Sequence, residues 1–251
     1  MDQRIIDLLT EAVELCEETN GAMNIAMGSV LSLWHDYGTE GIEDPGHASL
    51  PPAEALQDAA LHTDIHNICL DPDASTVYLA DPDMSLDVGA IAKGYATEMV
   101  CRSLQKQGFT HALISVGGST RAIGTKPDGS CWDVGIQDPD QASESAILYV
   151  MELTDTSLVS SGTYQQYYTV DGKPYHHIIH PELLMPWDRY TQVSVLCGNS
   201  GRADALSTAL FNMDPEEGKR FVENQIGIEA MWVFPDGSQT FSSGFRSYIK
   251  P

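Results

Sequence analysis

Asp204 and Thr208 stand four residues apart in the segment Ala203-Asp204-Ala205-Leu206-Ser207-Thr208-Ala209-Leu210. On a helix that spacing puts a carboxylate and a hydroxyl on one face, a turn apart. Such a pair is part of a coordination shell for a hard cation such as Mg²⁺. It is equally the polar face of a helix with an acid near its N-terminus. A second concentration of chemistry is Tyr175-His176-His177-Ile178-Ile179-His180-Pro181. Read as a strand, His176, Ile178 and His180 face one way and His177 and Ile179 the other. Zinc bound by His176 and His180 would need a third ligand, and the H-E-x-x-H pattern is absent. A general base needs only one ring, which suits His177 or His176 better; half-buried strand histidines are the plain alternative.

Asp87-Val88-Gly89-Ala90-Ile91-Ala92-Lys93-Gly94-Tyr95-Ala96 places an acid, small residues and a lysine at the mouth of a helical pattern. Free N–H groups and the positive end of the helix dipole favour an anion such as phosphate there. Gly89 and Gly94 also read as turn and packing glycines. Gly117 and Gly118 follow a strand directly, so backbone N–H groups there can meet a phosphate or a flavin carbonyl, or simply turn a hairpin. The segment is not G-x-G-x-x-G and no βαβ unit surrounds it, which excludes a Rossmann reading. Ser160-Ser161-Gly162-Thr163 lacks the G-x-S-x-G frame and reads as a loop that lines a pocket.

The elements that must position these residues follow from periodicity. Ile5, Leu8, Leu9, Ala12, Val13, Leu15 and Cys16 recur at helical spacing and Gly21 stops the helix. A second helix is expected from Pro51-Pro52 through Ala60, a hairpin over residues 65–80, and a long helix from Ile91 to Gly108. Strands are expected at 112–116, 120–123, 132–136, 147–153, 167–170, 175–179 and 191–196, with Asp171-Gly172 as a hairpin turn. Helices follow at 202–213 and 215–224, and two closing strands flank Pro235-Asp236-Gly237. Consecutive hairpins with helices grouped between them predict an α+β fold in a single domain.

The chain has 251 residues, 42% hydrophobic and 20% charged, with a formal net charge of −23. That charge excludes nucleic acid and anionic membrane surfaces as partners, both of which depend on clustered Lys and Arg. An anionic ligand would need a metal ion or helix termini to offset repulsion. Five widely spaced cysteines build neither a disulfide framework nor a C-x-x-C zinc site, and most are expected to be core thiols. No apolar run approaches the ~20 residues that span a bilayer.

The order of the motifs carries more than any one of them. The Asp87–Ala96 run, then Ser115-Val116-Gly117-Gly118-Ser119-Thr120-Arg121, then Trp132-Asp133-Val134-Gly135-Ile136-Gln137-Asp138-Pro139, then Ser161-Gly162-Thr163-Tyr164, the histidine run and the Asp204 segment resemble the FAD:protein FMN transferases, the ApbE-like family. Glu18-Thr19-Asn20-Gly21-Ala22-Met23-Asn24-Ile25, ending at Leu33-Trp34, is similar to that family's segment before its first long loop. The resemblance covers the whole chain and implies an α+β, T-fold-like arrangement of antiparallel sheets packed with helices. It implies Mg²⁺-dependent transfer of FMN from FAD to a Thr or Ser hydroxyl of an acceptor protein, with release of AMP. The acceptors it implies are electron-transfer subunits. Carried over residue by residue, Asp204, Thr208 and the Ala90 carbonyl would hold the ion. Asp87, Lys93, backbone at Ala22, Met23 and Asn24, and Ile178-Ile179 would contact FAD, joined by the candidate contacts Gly117 and Gly118. His177 would take the proton from the acceptor hydroxyl.

The alternatives are a non-catalytic FAD-binding module and a metal-dependent FAD pyrophosphatase releasing FMN and AMP. The chain departs from the family pattern at His180 and Asn24, each where Asp is usual, and at Glu182-Leu183-Leu184-Met185, where a Thr-Gly turn is usual. Family members carry a strand and flavin and adenine contacts ahead of the helix that comes first here. The resemblance points to the periplasm or cell surface, while Met1-Asp2-Gln3-Arg4 opens no signal core or lipid-attachment site.

Overall fold

The structure, a computed structural model, describes residues 1–140 and 142–251. It divides into two compact units, Met1–Ala90 with Thr163–Trp187, and Ile91–Gly162 with Asp188–Pro251. Its helices are α1 Gln3–Glu18, α2 Gly28–Glu43, α3 Ala53–Ala60, α4 Ala92–Lys106, α5 Ser200–Phe211 and α6 Pro215–Glu223. Its strands are β1 Ile68–Asp71, β2 Thr76–Leu79, β3 Ala112–Val116, β4 Ser119–Ile123, β5 Trp132–Gln137, β6 Ile147–Leu153, β7 Ser157–Gly162, β8 Tyr167–Val170, β9 Lys173–His176, β10 Gln192–Cys197, β11 Ile228–Val233 and β12 Gln239–Phe241. The α+β class expected from the sequence is the class observed.

In the first unit, α1 begins where the Asp2 side chain accepts the Arg4 N–H, and it buries Ile6, Leu9, Ala12, Leu15 and Cys16 on one stripe. It ends as expected, with Asn20 and Gly21 both at positive φ and the Gly21 N–H closing onto the Cys16 carbonyl. Helix α2 was not anticipated. Its Gly28, Gly38 and Gly41 lower helix propensity, yet two of them are required by packing. A Cβ on Gly28 would lie 2.5 Å from the Ser85 carbonyl oxygen, and one on Gly41 would lie 2.7 Å from the Tyr168 ring. Helix α2 is thus held by what it packs against: Trp34 and Val30 join Tyr168, Leu56 and Ile179 in one apolar cluster, and the Trp34 indole donates to the Leu184 carbonyl. β1–β2 and β8–β9 are two-stranded antiparallel ribbons. The second ends at His176, three residues short of the expected strand.

The second unit is built on a six-stranded antiparallel sheet in the order β12-β11-β10-β7-β4-β3. Strand β7 replaces the loop expected at Ser160-Ser161-Gly162-Thr163 as far as Gly162. Serines are unusual in an inner strand, but Ser160 and Ser161 are paired through their hydroxyls, Ser160 Oγ with Ser194 Oγ and Ser161 Oγ with Ser207 Oγ, both at 2.7 Å. Pairing removes the cost of burying a hydroxyl. One face of the sheet carries α5. The other carries Leu158, Leu196, Met231 and Val233, covered by Ile136, Met151 and Leu153 of the β5–β6 ribbon and by Phe245. Helix α5 is buried on nearly every side, capped by the Asn199 side chain accepting from the Gly201 and Arg202 N–H groups.

Helix α4 crosses α5 at glycines. A Cβ on Gly94 would stand 2.2 Å from the Ser200 carbonyl oxygen and 2.5 Å from Asp204 Cβ. Gly94→Ala is therefore expected to push the helices apart and destabilise by about 1–3 kcal/mol. Gly198→Ala, into open space without positive φ, is expected to stay within about 0.5 kcal/mol. Urea unfolding of the two variants checks this; equal midpoints would contradict the close crossing.

Candidate active site

The second unit brings Asp204, Lys93 and Gly94 together as no sequence spacing could. Asp204 is 3% exposed on α5. Its Oδ2 accepts the Gly94 N–H at 2.8 Å and its Oδ1 lies 3.7 Å from Lys93 Nζ. The N-terminus of α4 has no side-chain cap of its own, so the anion expected at this helix mouth is, at Gly94, the protein's own carboxylate. Reciprocally, Glu98 of α4 accepts the Ser200 N–H at the start of α5, 3.1 Å away. Glu98 also holds Arg121 and Arg102. Each helix thus caps the other through a buried acid.

Burial pushes the Asp204 carboxyl above the usual carboxylate range, with Lys93 and the Gly94 N–H pulling it partly back. A desolvated, incompletely neutralised carboxylate with the Thr208 hydroxyl a turn away fits a hard cation. Lys93 already places a positive group there. Thr208 is half-buried. The Lys93 stem runs past the β3–β4 turn, where a Cβ on Gly117 would lie 3.3 Å from Lys93 Cδ. Gly117 and Gly118 have φ of 52° and 93°, so they form a two-residue hairpin that only glycine enters without strain. Ser115 and Thr120 bridge its base through their hydroxyls at 2.9 Å.

The first unit holds the other expected residues. Asp87 ties down its own loop: its Oδ1 accepts the Gly89 N–H at 2.7 Å, and its N–H donates to the Ile25 carbonyl. Ala90, the expected carbonyl ligand, ends this unit. Ala22 and Met23 precede Asn24, whose Oδ1 accepts the Ala26 N–H and whose Nδ2 donates to the Thr63 carbonyl at 2.9 Å. An Asp could not make the second bond, which gives the Asn a structural reason. Asn24 also lines an open cleft of about 410 Å³ with Cys16, Asn20, Gly21 and His66.

The histidine run does not alternate as a strand would. His176 and Ile178 are buried, and Ile179 is buried beside them in an isolated bridge to Pro186. His176 Nδ1 accepts the Ile178 N–H, so this ring closes the end of β9. His177 is exposed, with Nδ1 3.1 Å from the Gln166 carbonyl oxygen. A carbonyl only accepts, so Nδ1 carries the proton and Nε2 is the basic nitrogen. His180 Nδ1 accepts from the Glu182 and Leu183 N–H groups, its ring edge-on to Trp187 at 4.8 Å. The imidazole thereby does at this turn what an Asp side chain does, accepting backbone N–H groups. With Nδ1 of both His176 and His180 occupied by backbone, a zinc site built on the pair gains no support.

Glu98 shows in the sequence only as an i,i+4 pair with Arg102; its other partners, Arg121 and the Ser200 N–H, lie 23 and 102 residues away and leave no local signal. Of the cysteines, Cys16, Cys101 and Cys197 are buried core thiols, and burial pushes the Cys16 thiol up to about 11. Among the described residues no helix is long and apolar enough to cross a membrane.

The sequence matches the ApbE family over residues 1–232. The chain belongs to the ApbE family. A FAD:protein FMN transferase of Treponema pallidum is 32% identical over 264 aligned positions, covering all of this chain and 71% of that protein. The solved ApbE protein of Thermotoga maritima superposes with a TM-score of 0.87 at 28% identity, over 100% of this chain and 79% of that one. The apo flavinyl transferase ApbE of Pseudomonas stutzeri superposes at 0.80 with 28% identity, over 99% of this chain and 76% of that one. The ApbE fold expected from the motif order is the fold observed.

Two stability tests follow from the buried acids. A carboxyl whose folded-state pKa is raised costs stability once ionised, fully above the folded value and not at all below the unfolded one. Asp204→Asn keeps the acceptor for the Gly94 N–H and removes that charge. It is expected to raise the melting temperature of the metal-free chain at neutral pH, with the gain fading as pH falls through the Asp204 pKa; a pH-independent difference would refute this. Glu98→Ala strands Arg121, whose side chain is 9% exposed, and is expected to cost about 3–5 kcal/mol in denaturant unfolding.

Proposed function

We propose that this chain transfers FMN from FAD to a Thr or Ser hydroxyl of an acceptor protein, assisted by Mg²⁺. The observation that carries the proposal is the buried Asp204 carboxylate, held by a helix N–H and Lys93 with Thr208 on the same helix, in a chain of the ApbE family. The reaction forms a bond between the acceptor oxygen and the FMN-side phosphorus and breaks the bond from that phosphorus to the bridging oxygen. AMP leaves with the bridging oxygen, and the hydroxyl proton passes to a base.

Asp204, Thr208 and the Ala90 carbonyl are the proposed holders of the ion, which when bound would neutralise charge on the diphosphate. Lys93 supplies a second positive charge for it in a chain of net charge −23. In the first unit, exposed His177 is the proposed base, its tautomer set by the Gln166 carbonyl so that Nε2 receives the proton. Backbone at Ala22, Met23, Asn24, Ile178 and Ile179, with Asp87, is proposed to bind FAD, as are Gly117 and Gly118 of the second unit. The acceptor class is an electron-transfer subunit.

The test is incubation with FAD, Mg²⁺ and an acceptor domain, read as covalent flavin fluorescence on the denatured acceptor. EDTA is expected to abolish it, and Asp204→Ala to lower the rate by at least ~100-fold. His177→Ala is expected to lose about 10²–10⁴-fold in rate while FAD binding is retained. Free FMN and AMP without an acceptor would replace the transferase by a pyrophosphatase. FAD bound without any product would replace it by a binding module.

A further inference from the structure

A different cluster in the first unit has the donors of a metal site. His62 follows α3, and Asp81 and Asp83 form the turn after β2. One ligand atom from each lies within 4.8 Å of the others. His62 Nδ1 and Asp81 Oδ2 are 2.8 Å apart, with side chains 31% and 16% exposed; Asp83 is exposed. We propose that His62, Asp81 and Asp83 bind a borderline divalent cation such as Zn²⁺ or Mn²⁺, at a site separate from Asp204 and Thr208.

Three features support it. The donor set is mixed: one imidazole nitrogen with two carboxylates suits Zn²⁺ and Mn²⁺, whereas Mg²⁺ prefers oxygen alone. The His62–Asp81 pair is shielded from water over most of its surface, so a dication bound beside it would be weakly screened. The backbone on both sides is also held. The His62 N–H donates to the Ala59 carbonyl and the Thr63 hydroxyl to the Ala60 carbonyl. Asp81 Oδ1 accepts the Asp83 N–H at 2.9 Å and the Asp81 carbonyl accepts from Met84. Pro82 between the two acids fixes one backbone angle.

Donors about 2.1 Å from one ion stand roughly 3–4 Å apart. The cluster brackets that range, and rotation of the exposed Asp83 closes the shell, with water completing it. Binding replaces the His62–Asp81 hydrogen bond: the ion takes the Nδ1 lone pair and the Asp81 oxygen, and the neutral ring carries its proton on Nε2. The consequence is a clip between the α3 exit and the turn four residues ahead of Asp87 in the chain. The inference stands apart from the proposed transfer reaction.

The experiment is calorimetric titration of the full metal-stripped chain with Zn²⁺ in excess Mg²⁺. One equivalent is expected to bind wild type and Asp204→Ala alike, with affinity at least ~10-fold weaker in His62→Ala and in Asp83→Asn. Asp83 is exposed, so its variant holds the test if His62→Ala does not fold. Wild-type affinity in both variants, or a sole Zn²⁺ equivalent that disappears in Asp204→Ala, overturns the proposal.

Discussion

The second unit depends on two helices that cap each other. Asp204 of α5 closes the N-terminus of α4 at Gly94, and Glu98 of α4 closes that of α5 at Ser200. Both acids are nearly sequestered from water, so each bond is strong and neither can be lost without leaving an N–H or a charge stranded. The exchange is possible because α4 carries glycine at the crossing and the backbones approach within reach of one turn's side chains.

That constraint also explains why Asp204 can be structural and chemical at once. Capping with Oδ2 leaves Oδ1 toward Lys93, and the burial that strengthens the cap is what raises the carboxyl's affinity for a positive charge. Arg121 neutralises Glu98 from β4, so the two acids diverge: one is matched by a buried guanidinium, the other by an ammonium that is half in solvent. The carboxylate left with the weaker partner is the one suited to exchange it for a metal ion.

In the first unit the equivalent economy lies in hydrogen-bond acceptors. His176 and His180 each lend Nδ1 to backbone N–H groups, and Asn24 bridges an N–H and a carbonyl. At His180 and Asn24 the side chain thereby satisfies backbone groups of its own and neighbouring loops. His177 alone of the run is exposed, and a carbonyl sets its tautomer.

Sequence by itself determined the fold class, the family and most elements, because alternating and 3.6-residue patterns, Asn20-Gly21, Gly117-Gly118 and the motif order act over short stretches of chain. Helix α2 and strand β7 escaped it: glycines and serines disfavour those conformations locally and are justified only by Ser85, Tyr168, Ser194 and Ser207, far away in sequence. The Asp204–Thr208 spacing was legible, whereas the bond to Gly94, 110 residues distant, was not. Tertiary structure alone decided which carboxylates are buried, which histidine nitrogens are committed to backbone, and that His62 meets Asp81 and Asp83. Burial and hydrogen-bond partnership are properties of neighbours in space, and neighbours in sequence do not encode them.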